Sequence, residues 1–162
     1  MDEVFKPFKR RFNHHGSRAL LSGGVVFNYL ATGKDTNGKF TLFEAKGFPG
    51  MEPPPHTHTR EDESFYILEG TLLFTIGGEE FLAEAGDYVY MPRNVPHQFK
   101  VLSPAFRCIS IITPAGLEDY FEPLSVPHPS DEIPPLTQDP PSKEALEMMQ
   151  ELDKQFGITY HQ

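Results

Sequence analysis

The chain has no tryptophan and one cysteine, Cys108. A lone thiol forms no intramolecular disulfide, so the fold is not a disulfide framework. Cys108 lies in the apolar run FRCISII and reads as a buried, inert thiol. Positive charge is scarce as well: 14 lysines and arginines stand against 23 aspartates and glutamates, a formal net charge of −9. A polyanionic partner needs a basic footprint, so this balance argues against nucleic acid. Long hydrophobic runs are missing. No stretch approaches the roughly 20 apolar residues of a membrane span. The opening segment MDEVFKPFKRRFNHHGS has no apolar core of the kind a signal peptide requires. The expectation is a soluble, unexported protein of the cytoplasm.

What is present suits one compact domain. The chain has 162 residues, 38% hydrophobic and 23% charged, with 14 phenylalanines and 6 tyrosines as bulky apolar material. Residues 1–19 read as a locally basic arm with interleaved Phe5, Phe8 and Phe12, laid on the barrel or on a partner subunit. Residues 20–113 read as all-β. Short apolar or alternating runs are expected as strands near 25–30, 40–46, 55–59, 63–69, 72–76, 80–83, 87–91, 97–102 and 106–113. The DTNG stretch and Gly77-Gly78 supply turn positions that accept positive φ. Residues 114–162 read as an extension. GLEDYFEPL suits one or two helical turns, and a proline-rich connector follows it. Residues 142–156 suit a helix, with Ser142 as N-cap and Gly157 as stop.

One short stretch carries the chemistry: GMEPPPHTHTREDE, residues 50–63. Pro53, Pro54 and Pro55 fix φ and bias their predecessors away from helix. In an extended segment, residues two apart share a face, so His56 and His58 project side by side. A bend over Thr59–Asp62 is expected to fold the chain back beside itself and bring Glu63 to the same place. His97 arrives from MPRNVPHQF downstream. Three imidazoles and a carboxylate suit one divalent transition metal: Mn, Fe, Co, Ni, Cu or Zn. Such a set leaves positions open for water or substrate. His14, His15, His128 and His161 lie outside this group and read as surface or tail histidines.

With those residues on the page, the chain resembles the cupin superfamily. The first cupin motif, GxxxxxHxHxxxxExxxxxxG, is met in full by Gly50, His56, His58, Glu63 and Gly70. The second, GxxxxxPxGxxHxxxN, is met by Gly86, Pro92 and His97. It departs at Asn94, where glycine is usual, and at Val101, where asparagine is usual. Asn tolerates the left-handed conformation better than other non-glycine residues, so the first departure is mild. The resemblance implies a double-stranded β-helix, or jelly-roll barrel, here with short C-terminal helices. It implies that His56, His58, Glu63 and His97 hold a metal inside the barrel.

Strand alternation then suggests the pocket wall. Phe65 and Ile67 share a face with Glu63, and Phe99 and Val101 share a face with His97. These four are expected to line a dry, partly aromatic substrate site. Among single-domain cupins the chain is most similar to flavonol-cleaving, quercetin 2,3-dioxygenase-like enzymes, on PPPHTHTREDESFYILEG, GDYVYMPRNVPHQF and ITPAGLEDYFEPL. That similarity implies a dioxygenase with dioxygen as co-substrate and a small aromatic or enolic substrate. Glu63 would be the catalytic base, a metal ligand, or both. The residues leave two other functions open: a cupin enzyme that needs no oxygen, such as an isomerase or decarboxylase, and a non-enzymatic small-molecule binder. The basic arm and the amphipathic tail helix suggest a homodimer.

Overall fold

The computed structural model describes residues 6–10, 18–21, 24–135 and 142–161. Of the arm's phenylalanines, Phe5 and Phe12 fall outside these residues, as do His14 and His15. Twelve strands are described: β1 (Arg18–Leu21), β2 (Val26–Ala31), β3 (Thr41–Gly47), β4 (His56–His58), β5 (Asp62–Glu69), β6 (Thr71–Ile76), β7 (Glu79–Glu84), β8 (Tyr88–Met91), β9 (His97–Val101), β10 (Phe106–Thr113), β11 (Ser125–Pro127) and β12 (Ile158–Tyr160). The helices are α1 (Gly33–Thr36), α2 (Glu118–Phe121) and α3 (Lys143–Phe156), with a 3₁₀ turn at Glu122–Leu124.

The strands form two antiparallel sheets of a jelly roll. One runs β11-β1-β2-β3-β10-β5-β8 and the other β12-β4-β9-β6-β7. The nine expected strands are present within a residue or two. Burial along β10 alternates strictly from Phe106 to Thr113, so Phe106, Cys108, Ser110 and Ile112 point inward. Between the sheets, Phe65, Phe74, Phe99 and Phe106 pack with ring centroids 5.5–5.8 Å apart. Each such ring contributes about 1.5–3 kcal/mol through burial alone. Cys108 is fully buried, as its apolar run implied.

Segments on both sides of residues 20–113 join these sheets. β1 pairs with β2, β11 pairs with β1, and β12 pairs with β4. The tract after Thr113 is pinned by Glu118. Its carboxylate accepts from Gly33 N at 2.6 Å, Gly116 N at 2.8 Å and the Thr41 hydroxyl. Leu117, Tyr120 and Leu124 are thereby buried against the barrel.

Helix α3 begins and ends where the sequence signals place it. Ser142 Oγ accepts from Ala145 N at 3.2 Å, and Gly157 closes the helix at φ 72°. Only glycine suits this stop, since a Cβ there would collide with Thr59 Oγ1. Met149, Leu152 and Phe156 pack against the chain's own core, while Leu146 on the same stripe is exposed. Among the described residues, no helix is long and apolar enough to cross a membrane.

Candidate metal centre and cavity

The site begins with the short strand β4. His56 and His58 share its inner face, while the Thr57 hydroxyl points the other way and meets His161 Nε2 at 2.7 Å. On one side β4 pairs with β9, where His97 stands directly opposite His56. On the other it pairs with β12, which sets Tyr160 opposite His56 and Ile158 opposite His58. Glu63 does not return alongside β4. The chain crosses at residues 59–61 into the facing sheet, where β5 pairs with β8 and β10. With β9 and β12 occupying both edges of β4, no edge is left for β5. The carboxylate therefore approaches the imidazoles from across the barrel.

Side-chain atoms from all four residues lie within 4.8 Å of one another. Centroid separations are 4.9 Å for His56–His58, 4.6 Å for His56–His97 and 5.4 Å for His58–His97. Glu63 Oε2 lies 3.7 Å from His97 Nε2 and 3.9 Å from His58 Nε2. Backbone carbonyls fix two of the rings. His56 Nδ1 donates to the Pro54 carbonyl at 2.8 Å, and His97 Nδ1 to the Val95 carbonyl at 3.0 Å. A carbonyl only accepts, so the proton sits on Nδ1 and each Nε2 keeps its lone pair for the site.

The His97 loop is held by two further contacts. Asn94 adopts φ 63°, the left-handed conformation that its motif position demands, and its N–H donates to the His58 carbonyl at 2.7 Å. The Arg93 guanidinium grips Asp62, the neighbour of Glu63, at 3.0 and 2.8 Å. Ser110, on β10, donates to Glu63 Oε1 at 3.3 Å. It orients the carboxylate and leaves Oε2 toward the histidines.

These residues fit a metal ion. His58 Nδ1 and His97 Nε2 are buried without a hydrogen-bond partner, a costly arrangement unless a cation or donor satisfies them. Burial, reinforced by the neighbouring imidazoles, lowers His56 to about 4 and His58 to about 3. Burial also lowers His97. The rings are neutral at pH 7, the state in which imidazole ligates. The donor set of three nitrogens and a carboxylate suits a divalent transition metal, whose identity the set itself does not select.

A cavity of about 500 Å³ opens on this cluster. Phe65 and Phe99 line it together with Phe106 and Met91. Ile67 and Val101 do not reach the lining. Each stands two residues further along its strand, about 7 Å away, and is buried in the core. Sequence reasoning missed part of the wall: Tyr120, Met149, Ile158 and Tyr160 all face the cavity. The signal for the last two was the ITY triplet after Gly157, a strand-like run too short to stand out.

The metal-free site has a testable electrostatic signature. Burial raises Glu63 from 4.5 to about 7, with Glu61 adding to the rise and Ser110 opposing it. A raised folded pKa gives stability that is present below the unfolded value and lost as pH rises through the folded one. The histidines act in the opposite sense, losing stability as pH falls below their unfolded value of 6.5. They are common to wild type and Glu63→Gln, so the difference between the two proteins isolates Glu63. In chelator-treated protein, urea melts should show Glu63→Gln gaining roughly 2–3 kcal/mol on wild type between pH 5 and pH 8. A difference independent of pH would contradict this account of Glu63.

The cupin domain family matches residues 48–112, which span both halves of the site. The chain is 28% identical over 109 residues to quercetin 2,3-dioxygenase of Bacillus subtilis (strain 168), covering 67% of this chain and 32% of that protein. It is 30% identical over 123 residues to the quercetin 2,3-dioxygenase of Aspergillus japonicus, covering 72% of this chain and 35% of that one. The chain thus spans about a third of the length of these two relatives. An uncharacterized protein of Methanocaldococcus jannaschii is 37% identical over 97 residues, 60% of this chain and 78% of its own length. Among solved structures, KdgF from Halomonas sp. shares the fold with a TM-score of 0.60 at 21% identity, covering 70% of this chain and 98% of its own. Motif residues, jelly-roll sheets and family match agree: residues 48–112 form a cupin domain, and the chain resembles quercetinase-like cupins.

Proposed function

We propose that this cupin is a metal-dependent dioxygenase acting on a small aromatic or enolic substrate of the flavonol type. The observation that carries the reading is the placement of three neutral imidazoles and one carboxylate on the wall of an apolar, largely aromatic cavity. The similarity to two quercetin 2,3-dioxygenases supports it. His56, His58, His97 and Glu63 would hold one divalent transition metal, which when bound supplies Lewis acidity toward an enolic hydroxyl and a means of engaging dioxygen.

The chain's own residues supply the rest. Glu63 Oε2 faces the site and is positioned to take the hydroxyl proton, while Ser110 holds Oε1. Glu63 acts as ligand, base, or each in turn. Phe65, Phe99 and Phe106 offer flat apolar surfaces to a planar substrate and keep the site poor in water. Tyr120, Phe121 and Leu124, from the pinned tract, close the wall as a lid. A flavonol-type enolate provides the electrons that dioxygen takes up, so the reaction needs no added reductant.

The test is oxygen uptake with a panel of flavonols and enediols across Mn, Fe, Co, Ni, Cu and Zn loading. At least one pairing should consume oxygen, and Glu63→Gln should lower kcat by about 100-fold or more. Turnover that persists without oxygen, or no turnover with any pairing, would contradict the reading. We also propose a homodimer, with the N-terminal arm in the contact, because Phe8 is 51% exposed and Leu146 on α3 is 45% exposed. Light scattering should give a mass of two chains; a mass of one would refute it.

A further inference from the structure

The cavity's polar side chains fall into three groups: the four candidate ligands, Glu52, and the tyrosine pair Tyr120 and Tyr160. Glu52 is fully engaged, accepting from Gly50 N at 2.6 Å and Val101 N at 2.7 Å. Tyr160 is not. Tyr120 OH donates to Asp153 Oδ1 at 2.9 Å, and the two phenol oxygens lie 3.3 Å apart. Each hydroxyl has one proton. Tyr120 directs its proton to Asp153, so Tyr160 directs its own to the Tyr120 oxygen. The Tyr160 oxygen is then left as an acceptor with no proton to give.

Its position is set by the backbone. β12 pairs with the ligand strand so that Tyr160 lies opposite His56, with ring centroids 5.7 Å apart. Tyr160 lines the cavity with 37% of its surface exposed, and Tyr120 beside it is buried. We propose that Tyr160 is a specificity residue that accepts a hydrogen bond from a second phenolic hydroxyl of the substrate, with Tyr120 and Asp153 as positioning residues. The inference rests on the dioxygenase reading and narrows its substrate class to aromatic enols that carry a further ring hydroxyl. A ring carbonyl or a methyl ether lacks the proton that this acceptor requires.

The test is anaerobic binding, so that no turnover intervenes. Metal-loaded, full-length protein is titrated by difference spectroscopy with three flavonols: one bearing only the enolic hydroxyl, one with added ring hydroxyls, and the ring O-methyl ether of the latter. Wild type should favour the ring-hydroxylated compound over its ether by about tenfold. Tyr160→Phe should bring that ratio to within about twofold while leaving metal content unchanged. Tyr120→Phe frees the Tyr160 proton, so the ratio should shift toward the ether; a merely structural Tyr120 would not move it. Flavonol binding with an unchanged ratio in Tyr160→Phe overturns this inference alone. Failure of all three flavonols to bind overturns the dioxygenase reading and this inference with it.

Discussion

Two hydrogen bonds decide which atoms face the cavity. His56 Nδ1 is committed to the Pro54 carbonyl and His97 Nδ1 to the Val95 carbonyl, so both Nε2 lone pairs turn inward. Both acceptors lie two residues before their histidine, in segments rich in proline. The prolines therefore hold the chain extended and also leave carbonyls free to orient the rings. Glu63 meets these lone pairs from the facing sheet, so the site exists only when both sheets are packed.

Without a cation this arrangement opposes folding. Unpartnered ring nitrogens and a carboxylate share a low-dielectric space, and burial disfavours charge on each of them. A divalent cation reverses the balance, because it rewards neutral imidazole and ionised carboxylate together. Fixed backbone and side-chain contacts keep the residues from relaxing away. The Arg93–Asp62 pair, Asn94 on the His58 carbonyl and Ser110 on Glu63 each hold one part in place.

Much of this was legible in the sequence because it is local. His-Thr-His after three prolines fixes a shared face. Asn94 was readable as a left-handed position, and the capping signals of α3 were explicit. Contacts set by distant pairing were not legible. Nothing near Glu63 says that the chain crosses sheets after Thr59. Alternation put Ile67 and Val101 on the inner face but did not say how deep the cavity extends, and both lie in the core beyond it. The tail strand was missed because three residues carry little periodic signal, although it covers the ligand strand and brings Tyr160 to the cavity. Tyr120 looked like one apolar residue of a short helix, and its hydroxyl gains meaning only from Asp153 and Tyr160.

The claim on which the rest depends is that these four side chains bind one metal ion. Anomalous diffraction from metal-loaded crystals, collected at the absorption edge of the metal, tests it directly. The account predicts one peak per chain, about 2.0–2.2 Å from nitrogens of His56, His58 and His97 and from a Glu63 oxygen, if the metal is zinc, and at similar distances for its neighbours. A cluster without a peak in metal-saturated crystals, or a peak held by other residues, would contradict it.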